Sequence, residues 1–343
     1  MMTNIRREAY LEHARDLTIV EQGFISEFAA WLPQDIIDCH AHCNLPEHVL
    51  SITGRAYNHM LSTFPSFTLD ESDDWNALFY PGKIVRSLRF PMVFKGIDYR
   101  AANLYLLEKS APEDRVALYG IPDDMDYTVH MLVHPRVSAL KMYCSYLEPP
   151  ATHIYQYFPK AVLSIAQRLN KPVILHPPAK ITDCRGELEL LIRDFPDLRI
   201  CIAHLGLDRE QTPCLEDTFA MLSGHPLVYL DTALVQSVEA ITTALRIFGF
   251  GRIMYGSDAP LHLIRSVDYR HPKLGWRIAS EYIYHWSDPT EHKNFGHLAI
   301  GAPHVHWTAL AAIKSAICIL ATSQQESAKQ NIFRENARSF YRF

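Results

Sequence analysis

No apolar run in this 343-residue sequence approaches the ~20 residues that cross a bilayer, so no membrane-spanning helix is expected. Basic excess is missing too. Lys and Arg number 33 against 38 Asp and Glu, the formal net charge is −5, and the two signs are mixed along the chain. Without a basic stripe, nucleic acid is not the expected partner. Residues 1–27 are charged and helical in pattern and lack the apolar core of a secretory leader. The seven cysteines are odd in number and scattered, and Cys201 and Cys318 sit inside apolar runs. That usage reads as reduced thiols in a cytoplasmic protein rather than a disulfide framework. Sequence repeats and low-complexity tracts are also lacking. What remains is 48% hydrophobic, enough for the large core of a single α/β domain.

Five short apolar runs end on a metal-type residue: 35–42 on His40 and His42, 137–143 on Lys141, 172–176 on His176, 199–204 on His204 and 252–258 on Asp258. One such ending carries no information. Five suggest a parallel barrel presenting ligands at the carboxyl ends of its strands, where that architecture keeps its chemistry. The spacing agrees. His176 to His204 is 28 residues (204 − 176), and His204 to Asp231 and Asp231 to Asp258 are 27 each (231 − 204, 258 − 231). A strand, a crossover helix and two loops need about 30.

The expected fold is therefore an α/β (β/α)8 TIM barrel over 33–343, preceded by an N-terminal helical extension over 1–32 that covers the barrel bottom or its side. Strands are expected at about 35–40, 84–90 and 115–121, then at the runs above and at 227–231. Helices are expected at 98–109, 124–134, 153–170, 185–195, 213–223, 234–248 and 323–342. Asp231 could be a ligand by its spacing, but Asp231-Thr232 reads better as the N-cap pair of the 234–248 helix. Two long insertions, 43–80 and 259–307, read as pocket walls or lids.

His40 and His42 are two apart, so on a strand both project from one face. Strand alternation then sends Cys39 the other way, into the layer between barrel and helices. Asp38 has the parity of His40 and is a candidate to orient a ligand. An isolated His-X-His is more often structural. This pair shares its architecture with His176, His204 and Asp258, and burying four imidazoles and a carboxylate together without a cation would be costly. A divalent metal is expected, with zinc favoured by the nitrogen-rich set and manganese as the alternative.

The motifs Ile37-Asp38-Cys39-His40-Ala41-His42, Val173-Ile174-Leu175-His176-Pro177, Ile202-Ala203-His204-Leu205-Gly206 and Tyr255-Gly256-Ser257-Asp258-Ala259-Pro260 together resemble the amidohydrolase superfamily of metal-dependent barrel enzymes. The resemblance is to the branch that contains the aminocarboxymuconate-semialdehyde decarboxylase-like proteins and related lactonases. Asn331 to Ala337 also resembles that family's last helix. The resemblance implies that His40, His42, His176 and Asp258 hold one metal. It makes His204 a ligand of a second metal or a catalytic histidine, and it makes Asp258 the proton-handling residue. Lys141 resembles the bridging lysine of binuclear members such as dihydroorotases, where it is carbamylated. Two other readings of Lys141 stay open: a cation for a substrate carboxylate, or a packed stem whose head snorkels to the mouth.

Arg89, Tyr143 and Arg265 are candidates for substrate binding, from their places at a strand end, beside Lys141, and in the loop after Asp258. His285, His292, His297, His304 and His306 lack strand-end placement and read as structural or surface residues. The expected function is hydrolysis of an amide, lactone or related bond by metal-activated water at a centre of one or two ions. The alternative is non-oxidative decarboxylation of an aromatic or unsaturated acid. The expected partner is a small molecule, with no nucleic acid and no membrane; homo-oligomerisation stays open.

Overall fold

The computed structural model describes residues 2–51, 64–284, 287–321 and 323–343. Eight parallel strands follow one another around a barrel: β1 (Asp35–His42), β2 (Ile84–Phe90), β3 (Arg115–Tyr119), β4 (Val137–Met142), β5 (Val173–Leu175), β6 (Ile200–Ile202), β7 (Val228–Asp231) and β8 (Ile253–Met254). Helices Tyr99–Lys109, Met125–Leu132, Lys160–Arg168, Arg185–Asp194, Pro213–Ser223 and Val238–Phe248 make the crossovers. The fold is the expected α/β TIM barrel. The strands read as apolar runs because both faces are covered, one by helices and one by the barrel interior.

β8 itself is only two residues long. The segment after it closes the barrel instead: Cys39 N–H donates to Tyr255 O (3.0 Å), Asp258 N–H to His40 O (2.8 Å) and His42 N–H to Ala259 O (2.7 Å). This closure sets Asp258 beside the histidine pair.

Several expectations need correction. The helix after β7 begins at Val238 rather than 234, and its N-cap is Ser237, whose hydroxyl accepts from Ala240 N–H. The stretch expected as one helix at 153–170 is broken into Ile154–Tyr157 and Lys160–Arg168, because Pro159 has no N–H to give. Of the two placements expected for the N-terminal helices, α1 (Met2–Arg15) and α2 (Ile19–Trp31) take the barrel's side and not its bottom. They pack on the second insertion and on helix Val305–Leu320, through Tyr10–Tyr284 (2.7 Å between hydroxyls), Phe28 against Trp307, and Glu27–Lys314 (2.7 Å). The bottom is plugged by the chain's last helical turn, where Phe340 and Tyr341 join Ile37, Leu88, Ile174, Cys201 and Met254 in the barrel interior. The second insertion contains an antiparallel hairpin, β9 (Ser266–His271) and β10 (Gly275–Ser280). No described helix is long and apolar enough to cross a membrane.

Candidate metal centre

The geometry of the site begins with a β-bulge. Along β1, Asp38 pairs with Ser87 and Ala41 with Arg89, so β1 spends one more residue than β2 over that interval. The bulge breaks strict alternation. Cys39 lies in the barrel interior with Ile37 and Cys201, not in the barrel–helix layer, and His40 also lies inside, its ring 5.0 Å from that of Phe90. Ala41 packs in the outer layer and His42 returns inward, its ring 4.5 Å from Phe90. Counting parity across the bulge misassigned Cys39. Asp38 reaches the candidate ligand His40 through the backbone: Oδ1 accepts His40 N–H (3.0 Å) and Ser257 N–H (2.9 Å), and Oδ2 accepts the Ser257 hydroxyl (2.5 Å).

The imidazoles share one arrangement. His42 Nδ1 lies 2.9 Å from Pro91 O, His176 Nδ1 2.9 Å from Pro177 O, and His204 Nδ1 2.8 Å from Ala233 O. A carbonyl only accepts, so each of these Nδ1 atoms carries the proton and each Nε2 presents a lone pair. His40 Nδ1 is held by Asp231 Oδ2 at 2.9 Å. The His40 and His42 Nε2 atoms then converge on one oxygen, Asp258 Oδ1, at 3.2 and 3.1 Å. Ligand atoms of His40, His204 and Asp258 all lie within 4.8 Å of one another, and all three residues are buried.

A neutral His42 with its proton on Nδ1 sets a lone pair against a carboxylate oxygen. Two acceptors in that position repel unless a cation lies between them. Metal–ligand distances of ~2.0–2.1 Å in a tetrahedral site separate neighbouring ligand atoms by roughly 3.4 Å. The Nε2–Oδ1 separations are close to that, so the donor set fits a divalent cation. His42 is attached to the tight group through Asp258, and His176 through His204, whose ring centroid is 5.1 Å from its own.

Burial sets the protonation. It pushes His42 down, takes His204 to about 4, and pushes His176 well below the ordinary range with help from His204. These rings stay neutral, as ligation requires. For His40 burial also lowers the value, but Asp231 and Asp258 outweigh it and raise the ring to about 9. Against burial, His40 and His42 hold the Asp258 carboxyl well below its usual range.

Two of the site residues occupy the left-handed backbone region. His204 has φ 57°, with Leu205, Gly206 and Leu207 also positive, and Asp258 has φ 63°. Such conformations cost on the order of 1–3 kcal/mol at non-glycine residues and persist where the surroundings enforce them. Here Asp231 Oδ1 accepts His204 N–H (2.8 Å), and Arg209 Nη1 donates to His204 O (2.6 Å). Gly256 is required for a different reason: a Cβ there would sit 2.8 Å from His40 Cβ.

Lys141 is buried on the inner face, with Nζ 5.4 Å from the Phe90 ring centroid. Burial pushes its ammonium down, against the opposing pull of Asp231 and Asp258. Tyr143 sets its ring edge-on to His176 at 4.8 Å. Arg89 and Arg265, expected to bind substrate, are instead committed to internal ion pairs. Arg89 faces the helix layer, where Nε meets Asp114 (2.6 Å) and Nη2 meets Asp73 (2.6 Å). Arg265 Nη1 meets Glu21 (2.9 Å) and Nη2 donates to Asp16 O (3.0 Å), fastening α2 to the second insertion.

Sequence reasoning missed the role of Asp231, which holds His40 and the turn of His204 rather than capping a helix. Its 27-residue spacing from His204 and Asp258 was the available signal. Arg209 was also missed. It is buried beside the site, burial takes it to about 10, and no local motif marks it. Of the remaining histidines, His304 and His306 are buried, His292 and His297 lie nearer the surface, and His285 lies outside the described residues.

Solved structures share the fold at low sequence identity. An amidohydrolase 2 from Bifidobacterium longum subsp. infantis superposes with a TM-score of 0.58 at 15% identity, over 91% of this chain and 100% of that one. A putative 2-pyrone-4,6-dicarboxylic acid hydrolase from Pseudomonas putida gives 0.55 at 17%, over 90% and 98%. A 5-carboxyvanillate decarboxylase from Sphingomonas paucimobilis gives 0.54 at 12%, over 91% and 100%. No curated protein matched the sequence. The amidohydrolase family model matches residues 37–343, a span that includes His40, His42, His176, His204 and Asp258, and the chain belongs to that family of enzymes.

Proposed function

We propose that the chain is a metal-dependent hydrolase of small molecules, acting on an amide, lactone or related bond at the barrel mouth. The observation that carries this reading is the convergence of His40 and His42 Nε2 on Asp258 Oδ1, with the Nδ1 atoms already anchored. His40, His42, His176, His204 and Asp258 would hold the ion, with zinc the proposed metal. A bound divalent cation would supply Lewis acidity, lowering the pKa of water toward ~7 and polarising a substrate oxygen.

The chain's own groups do the rest. Asp258 accepts the proton of the water that attacks the substrate carbon, then returns it to the departing nitrogen or oxygen as that bond breaks. Asp231 keeps His40 in one tautomer and one orientation. Tyr143, whose ring lies edge-on to that of His176, would hydrogen-bond substrate. Burial of Lys141 favours its neutral amine, the form that takes up carbon dioxide to become a carbamate, and a carbamate would bridge a second ion.

Decarboxylation is the second reading. Its support is Arg209, a buried cation next to His204 that suits a substrate carboxylate, together with the presence of decarboxylases among the similar structures. Here His204 or Asp258 would deliver the proton to carbon. Metals per chain are counted in the wild type and in Lys141→Ala, and lactones and amides are screened beside aromatic acids while carbon dioxide is monitored. The hydrolase reading expects two ions, one lost in Lys141→Ala together with activity, and bicarbonate-assisted reconstitution. One ion in both proteins, with carbon dioxide released from an acid, overturns it.

A further inference from the structure

At the end of the barrel opposite the metal centre, strands β3 to β6 are entered through basic residues. Arg115 opens β3, Arg136 and Arg199 directly precede β4 and β6, and Lys171 lies two residues before β5. These four side chains and Arg342 line one cavity of about 320 Å³. In a chain of net charge −5, five cations around one cavity are a local reversal of sign.

The cations bond to carbonyls, not to acids. Arg115 Nε donates to Arg342 O (2.8 Å), Arg136 Nη2 to Ser110 O (2.8 Å), Lys171 Nζ to Val137 O, and Arg199 Nη2 to Phe340 O and Ser339 O. A neutral carbonyl orients a cation without cancelling its charge. Among the described residues, none of the five has a carboxylate within 4.0 Å. The acid lining the cavity is Asp114, and its carboxylate is spent on Arg89 Nε (2.6 Å) and Ser87 N–H (2.8 Å). Burial first, and then the charge of Arg342, push Lys171 and Arg199 downward.

Helix-end capping explains part of this pattern, since cations favour helix C-termini. It accounts for Arg136, at the end of helix Tyr99–Lys109, and for Arg199, at the last turn of the chain. It does not account for Arg342, whose exposed guanidinium has no hydrogen-bond partner among the described residues yet bears on both Lys171 and Arg199.

We propose that this cavity binds a phosphate-class dianion, either inorganic phosphate or the phosphate group of a small monoester. Guanidinium forks and a lysine ammonium are the donors that such a group needs. The site is separate from the metal centre and owes nothing to the reaction assigned there.

The test is isothermal titration of the metal-loaded full chain with inorganic phosphate and, separately, glycerol 3-phosphate, at fixed ionic strength. Saturable binding is expected for at least one of them. Tighter binding of inorganic phosphate assigns the free anion, and tighter binding of glycerol 3-phosphate assigns the ester. Affinity should fall tenfold or more in Arg342→Gln, an exposed position that spares the fold, and likewise in Lys171→Gln. Asp258→Asn, at the other end of the barrel, should leave it unchanged. No saturable binding, equal binding in Arg342→Gln, or loss of binding in Asp258→Asn would each overturn the proposal. So would self-association through this face without phosphate binding, since the cations would then be serving a second copy of the chain.

Discussion

His40 and Asp231 are both buried and meet through Nδ1 and Oδ2 at 2.9 Å, so the carboxylate on β7 decides where the imidazole on β1 aims its other nitrogen. The same carboxylate accepts His204 N–H through Oδ1 (2.8 Å). One side chain thus holds two candidate ligands without occupying a ligand position itself. Asp231→Asn keeps the volume and loses the charge. Metal affinity should fall by ~10–100-fold, the usual scale for such outer partners. Competition with a chelating dye measures it, and an unchanged dissociation constant would remove Asp231 from this role.

Asp258 is the group proposed to move the proton. In Asp258→Asn, turnover should drop by ~10²–10⁴ while the histidines retain most of the metal. Initial rates alongside elemental analysis separate the two effects. Near-normal turnover would refute the assignment.

Gly256 lies against His40, with room for hydrogen and not for a methyl group. Gly256→Ala should displace the His40 ring, lower metal content and leave a folded protein, as read by elemental analysis and circular dichroism. Full metal occupancy in this variant would show that His40 is not tightly constrained.

Glu21 joins α2 to the second insertion. It accepts from Arg265 Nη1 (2.9 Å) and His304 N–H (2.9 Å), and His304 Nδ1 lies 2.7 Å from Oε1. Burial would raise its carboxyl, but the contacts with His304 outweigh burial and hold it well below the ordinary 4.5. A depressed carboxylate contributes its stability above the unfolded value and loses it as pH falls below that value. Glu21→Gln should cost about 3–5 kcal/mol near neutrality, because Arg265 is left buried and unpaired. The gap to wild type should narrow below about pH 4.5, where the wild-type carboxylate gains protons as it unfolds. Urea denaturation at about pH 7 and pH 3 measures both; an equal gap at the two values would exclude the linkage.

The barrel and its candidate ligand positions were legible because their signals are local. Apolar runs that end on His, Lys or Asp, repeating at the length of a strand–helix unit, need no knowledge of distant contacts. His40, His42, His176, His204 and Asp258 were found this way, and the structure brings them to one end of one barrel. Arg89 and Arg265 were misread because a strand end or a loop position does not say which way a long side chain turns; carboxylates at Asp114 and Glu21, distant in sequence, decided that. Cys39 was misread because a bulge forms between two strands, and alternation within one strand does not reveal it. Asp231 announced its position but not its role, which depends on His40, 191 residues away. The sequence by itself determined the barrel and the inventory of candidate ligands, through period and residue type. Only the tertiary structure decided which nitrogen each histidine presents, since each Nδ1 finds its acceptor through the fold and that bond leaves Nε2 facing the candidate metal site.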